Sequence, residues 1–112
     1  MPERAPFPPD KYAGAPYIRQ LNTGEVIMSY QSNEFRTTSQ WDLSDMIVCV
    51  GDSTGQHFDH KSIPFAITDK TKTCLWNSLF VESDTTIIAL GSTNAYSNKT
   101  EVRMIRGYLS KH

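Results

Sequence analysis

The chain has 112 residues, with 11 Lys plus Arg against 12 Asp plus Glu. So even a balance gives no electrostatic footprint for nucleic acid or for an anionic membrane surface, and no apolar run approaches the roughly 18 residues of a membrane span. The first residues carry no apolar signal-peptide core, because Met1 is followed by Pro-rich polar sequence.

Five of the six prolines (Pro2, Pro6, Pro8, Pro9 and Pro16) fall in the first sixteen residues. Proline lacks an amide donor, so residues 1–14 read as an extended connector. Beyond it, short runs of Ile, Val, Tyr, Phe and Thr alternate with Gly, Asn, Asp and Ser, which is the signature of strands and turns. A strand is predicted over 16–21. A tight turn follows over 22–24, with Gly24 free to take positive φ, and the chain returns over 26–31. Residues 32–44 form a polar loop carrying Trp41. A third strand is predicted over 46–50, then a turn over 52–55. The fourth is predicted over 63–67, at a sheet edge because of Pro64. Three more strands follow over 75–81, 86–90 and 102–105. No stretch has the 3.6-residue period of a helix, so the fold class is all-β.

Cys49 and Cys74 both sit inside apolar runs. Two buried free thiols, acting as small hydrophobes, are expected in preference to a disulfide.

A shift of 60 positions lays the first hairpin on a second one. Leu21 then meets Val81, Gly24 meets Asp84, Val26 meets Thr86, Ile27 meets Ile87, Met28 meets Ile88 and Ser32 meets Ser92. A slightly shorter shift brings Met46 and Val48 onto Val102 and Met104. Self-similarity on this scale fits repeated antiparallel blades. The expected architecture is two consecutive β-propeller blades, 15–74 and 75–112, the second incomplete. Two unrelated hairpins in a β-sandwich are the alternative. Two blades cannot close a ring, so the remaining blades would come from a parent chain or from other copies.

The string Ala13-Gly14-Ala15-Pro16-Tyr17-Ile18-Arg19-Gln20-Leu21-Asn22-Thr23-Gly24-Glu25, continued by Ser29-Tyr30-Gln31, resembles a segment of sialidase-like propeller glycosidases, exo-acting arabinanases among them. Thr73-Cys74-Leu75-Trp76-Asn77-Ser78-Leu79 is similar to the strand that opens the last blades of that superfamily. Its repeat marker, the Asp box Ser-x-Asp-x-Gly-x-Thr-Trp, has a degenerate counterpart in Gly51-Asp52-Ser53-Thr54-Gly55-Gln56-His57-Phe58, which keeps the glycine and the final aromatic. The resemblance implies the C-terminal part of a glycoside hydrolase acting on glycan or polysaccharide ends, with a carbohydrate partner, no cofactor and a parent that is secreted or periplasmic. Sialidases hold the substrate carboxylate with three arginines, and Arg36 fits the third. Their tyrosine nucleophile would stand where this chain has Trp76. That departure favours a neutral-sugar glycosidase or a non-catalytic carbohydrate-binding propeller. A small β interaction domain is the further alternative.

The candidate substrate-binding residues are Gln31, Glu34, Arg36, Trp76 and Asn77, and no catalytic residue is assigned. Arg36 could fork onto a carboxylate, or be a solvated loop arginine paired with Glu34. Glu34 could act as acid or base, but hydrolysis usually needs two carboxylates. Trp76 is either a sugar-stacking platform or a core residue between blades. Gln31 and Asn77 could bond sugar hydroxyls from strand ends. Glu25 is expected to face solvent. His57 and His60 invite a metal reading, but positions three apart in an extended chain point to opposite faces, so no metal site is expected.

Overall fold

The computed structural model describes residues 11–38, 40–51, 58–83, 86–97 and 99–108, with 58–60 described for their backbone alone. Strands β1 (Ala13–Gln20), β2 (Val26–Ser32), β3 (Asp45–Gly51) and β4 (Phe58–Ser62) form one antiparallel sheet in chain order. Strands β5 (Cys74–Ser83), β6 (Thr86–Thr93) and β7 (Glu101–Tyr108) form a second. The described residues contain no helix. The fold is thus all-β, two up-and-down sheets joined by residues 63–73.

Six predicted strands are present, their ends unmoved or shifted by at most about three residues. β1 begins at Ala13, inside the segment expected to be a connector. At the first turn, Gly24 takes φ 94° and its amide returns to the Leu21 carbonyl at 2.9 Å.

The fourth strand is misplaced in the sequence reading. It lies at Phe58–Ser62, whereas residues 63–67 are irregular. The apolar run there has another use. Phe65 and Ile67 are buried in the main core with Ile27, Met46, Val48, Leu79, Ile87 and Ala89, so the linker plugs the space between the sheets. An apolar run and a strand look alike when the burial comes from a crossing connection. The Asp-box stretch and the histidine pair lie outside the described residues, apart from Gly51 and the backbone of 58 and 60. Cys49 and Cys74 are both buried and free, as expected.

The internal repeat is present, with a different offset. In β1, Gly14 pairs with Gln31 and Tyr17 with Ser29, so Ala15 and Pro16 together oppose Tyr30. In β5, Leu75 pairs with Ser92 and Ser78 with Leu90, so Trp76 and Asn77 together oppose Gly91. These are two β-bulges, each placing two residues against one. Their first residues, Ala15 at φ 49° and Trp76 at φ 52°, are the non-glycine residues with positive φ among those described.

The offset of 61 from 15 to 76 extends into the hydrogen bonds. The Tyr12 amide donates to Asn33 Oδ1 at 3.0 Å, and the Thr73 amide donates to Asn94 Oδ1 at 3.0 Å. The Ser32 hydroxyl donates to the Tyr12 carbonyl and the Thr93 hydroxyl to the Thr73 carbonyl, both at 2.7 Å. The amides of Glu34 and Ala95 complete the two clamps at 3.1 Å each.

This register corrects the 60-residue shift. Ile27 corresponds to Ile88, not Ile87, and in a strand a slip of one residue moves a side chain to the opposite face. The third-strand match stands. Ser32 pairs with Asp45 and Thr93 with Glu101. The second loop is therefore five residues shorter, which sets Met46 against Val102 and Val48 against Met104.

The offset also fixes how the sheets stack. The first sheet packs through Ile27, Met46 and Val48, and the second through Leu79, Ile87 and Ala89. The repeat equivalents of Ile27, Met46 and Val48 are Ile88, Val102 and Met104, on the far side of the second sheet. Opposite faces of equivalent sheets therefore meet, a head-to-tail contact that can be continued. The other face of the first sheet carries a separate buried cluster of Met28, Tyr30, Ile47 and Cys49.

Candidate functional site

The two bulges meet at one rim of the sheet stack. The Trp76 amide donates to Gln31 Oε1 at 2.8 Å, and Gln31 Nε2 donates to the Tyr12 hydroxyl at 2.6 Å. The Ser29 hydroxyl donates to Asn77 Oδ1 at 2.7 Å, while Asn77 Nδ2 donates to the Ala15 carbonyl at 3.3 Å. Bulged residues leave the ladder, so their backbone groups need other partners. Gln31 and Asn77 supply them, each tying the bulge of one sheet to the other sheet. Both side chains are buried.

Trp76 differs. Its backbone is held by Gln31, yet the residue is 66% exposed. Trp41, 50% exposed, packs its ring on Tyr12 with centroids 6.0 Å apart. A line of contacts thus runs from Trp41 through Tyr12 and Gln31 to Trp76, and it places two open indoles on the linked loop and bulge.

Arg36 and Glu34 leave the same loop but turn inward. The Arg36 Nε and Nη2 groups fork onto Asp45 at 3.1 and 2.9 Å, with both side chains 1% exposed. Its Nη1 donates to the Lys72 carbonyl at 2.6 Å. The fork expected for a ligand is thus closed on an internal carboxylate, and the guanidinium pins the approach to β5. Glu34 does not pair with Arg36. It accepts from Lys61 Nζ at 2.6 Å and from the Tyr30 hydroxyl at 2.7 Å. Burial, then the hydrogen bond to Glu34, push the Tyr30 phenol well above its ordinary range. Tyr30 therefore stays a neutral donor.

The structure brings Gln31, Trp76 and Asn77 together and sets Arg36 and Glu34 in separate buried ion-pair networks. Sequence reasoning missed Asp45, Tyr30 and the clamp asparagines. A charged residue opening the apolar strand Asp45-Met46-Ile47-Val48 signalled a buried pair. The repeated dipeptides Ser32-Asn33 and Thr93-Asn94 signalled the clamp. Compared with protein-family models, curated proteins and solved structures, the chain matches none of them.

Proposed function

We propose that the two sheets are consecutive blades of a sialidase-like β-propeller, from the C-terminal part of a glycoside hydrolase acting on glycan ends, and that Trp76 is its sugar-stacking platform. The observation that carries the blade reading is the head-to-tail stacking. A sandwich of two unrelated hairpins has no reason to repeat a clamp and a bulge at one offset, nor to join opposite faces of equivalent sheets. Radial repetition of small antiparallel sheets calls for that contact. The ring is completed by further blades.

The sugar reading rests on Trp76. A bulky side chain at φ 52° is strained, and glycine would relieve the strain. Neither backbone geometry nor core packing accounts for an exposed indole there, whereas a stacking surface does. Glycoside hydrolysis uses two carboxylates. Glu34 and Asp45 are both held in internal ion pairs, so the acids come from other blades and this chain alone binds without turnover. That same observation favours the second reading, a non-catalytic carbohydrate-binding propeller.

The test is a titration of neutral and acidic oligosaccharides against the chain carrying Trp41→Phe, followed by indole fluorescence. Quenching of the Trp76 indole, together with calorimetric binding that is lost in Trp76→Ala with circular dichroism unchanged, supports the platform. No quenching by any sugar removes it. Turnover of a nitrophenyl glycoside by the purified chain would show that the acids are not supplied elsewhere.

A further inference from the structure

The repeat separates what the fold requires from what it does not. The clamp and the bulge recur at the offset of 61, so a side chain that either one requires has a counterpart of its own kind in the other sheet. Three aromatic residues have none. Tyr12 stands where the second unit has Thr73, and Trp76 stands where the first has Ala15. Trp41 lies on the connection from β2 to β3, which is five residues longer than the connection from β6 to β7.

These three residues form one line of contacts. Trp41 packs on the Tyr12 ring with centroids 6.0 Å apart. The Tyr12 hydroxyl accepts from Gln31 Nε2 at 2.6 Å, and Gln31 Oε1 accepts from the Trp76 amide at 2.8 Å. Tyr12 is fixed at both ends. Its amide and carbonyl belong to the clamp, and its ring lies over Gly14, where a Cβ would come within 2.6 Å of the hydroxyl. Glycine at that position leaves room for the phenol. A phenol donates as well as accepts, and among the described residues no group accepts the Tyr12 proton. Tyr12, itself half-buried, therefore sets an unspent donor between two indoles that are 50% and 66% exposed.

We propose that Trp41 and Tyr12 extend the Trp76 platform into a site for a neutral oligosaccharide chain, with one sugar ring stacked on each indole and a hydroxyl of the chain accepting from Tyr12. This rests on the sugar reading of Trp76 and adds chain length to it. A phenol and a carboxamide lie between the two indoles, so one sugar ring does not cover both. Apolar faces flanking a fixed polar group suit a ligand with apolar ring faces and hydroxyl rims. The chain is neutral because the cations on these segments are turned away from it. Lys11 donates to the carbonyls of Arg36 and Thr38, and Arg36 is closed on Asp45.

The experiment is calorimetry on the 112-residue chain with arabino- and cello-oligosaccharides up to the hexasaccharide, and with sialyllactose as the acidic probe. Monosaccharide affinity is read by displacement of the hexasaccharide. The second aromatic face is expected to raise affinity about tenfold from monosaccharide to hexasaccharide. Trp41→Ala and Tyr12→Phe should each reduce that gain and leave monosaccharide affinity and circular dichroism unchanged. Equal affinity at every length overturns the proposal and leaves the Trp76 platform standing. So does a length dependence that Trp41→Ala does not alter. A Tyr12→Phe variant that weakens monosaccharide and hexasaccharide alike would show Tyr12 acting through Gln31, and its role as a donor to the chain would fall. Tighter binding of sialyllactose than of the neutral chains would refute the neutral ligand. If Trp41→Ala unfolds the chain, Trp41→Leu, which keeps an apolar contact on Tyr12 without an aromatic face, is judged by the same outcomes. Binding of no probe removes the sugar reading of Trp76 and this site with it.

Discussion

Ala15 and Trp76 occupy the same place in two sheets. Each is the first residue of a two-for-one bulge, with φ of 49° and 52°, and each lies the same distance along the chain before the asparagine of its sheet's clamp, Asn33 or Asn94. A left-handed conformation costs an L-residue on the order of 1 kcal/mol or more. The first sheet fills it with a small side chain and the second with a large exposed one, so the conformation belongs to the architecture and the indole does not.

Trp76→Gly is therefore expected to raise stability by about 1 kcal/mol, since glycine adopts positive φ freely, while abolishing sugar binding measured by calorimetry. Urea denaturation measures the first effect. A large fall in the urea midpoint would make Trp76 a packing residue.

Arg36→Ala should cost about 3–5 kcal/mol, because it leaves Asp45 buried and unpaired. That is a large share of the stability of a small domain. The double variant Arg36→Met with Asp45→Leu should recover most of the loss. An Arg36→Ala midpoint equal to that of the parent chain would mean the fork is not structural.

Asn33→Ala and Asn94→Ala should each cost about 1–3 kcal/mol, by leaving the amides of Tyr12 and Thr73 without their acceptor. Because the clamps are equivalent, the two losses should be similar. Amide exchange at Tyr12 should quicken in the first variant, and at Thr73 in the second. Acceleration at neither amide would refute the clamp.

Burial pushes the Cys49 thiol to about 11 and the Cys74 thiol to about 12, from an ordinary 9.0. The folded chain then holds protons that the unfolded chain has lost. The thiols' contribution to stability is whole below pH 9 and falls as the pH climbs through 11 to 12. Urea midpoints from pH 8 to 11 should decline, and less steeply in Cys49→Ala, Cys74→Ala. Native thiols should resist a disulfide reagent at pH 8, where thiolate is scarce. Rapid labelling of both in the folded chain would contradict their burial.

The strand content was readable because β-branched runs and turn residues are local signals, and the cysteines because their neighbours are apolar. The failures came from non-local causes. β4, Phe-Asp-His-Lys-Ser, has little apolar character and is defined by pairing with β3. Residues 63–67 look like a strand because both sheets bury them. At the site, the open position of Trp76 and the inward turn of Arg36 depend on a bulge and on Asp45, nine residues away. The 60-residue shift matched apolar letters, and only strand register could separate it from 61.

Gly91 stands where the first sheet has Tyr30, each facing the two residues of a bulge. A methyl at Gly91 would collide with Cys74 Sγ and come within 3.3 Å of Phe65. One position thus bears the bulkiest fully buried side chain of one sheet and no side chain in the other. The volume given up at Gly91 is taken by Cys74 and by the linker's Phe65. The two units are therefore not interchangeable parts: a chimera carrying two copies of the first would set a phenol against Phe65, and the linker would have to be redesigned with it.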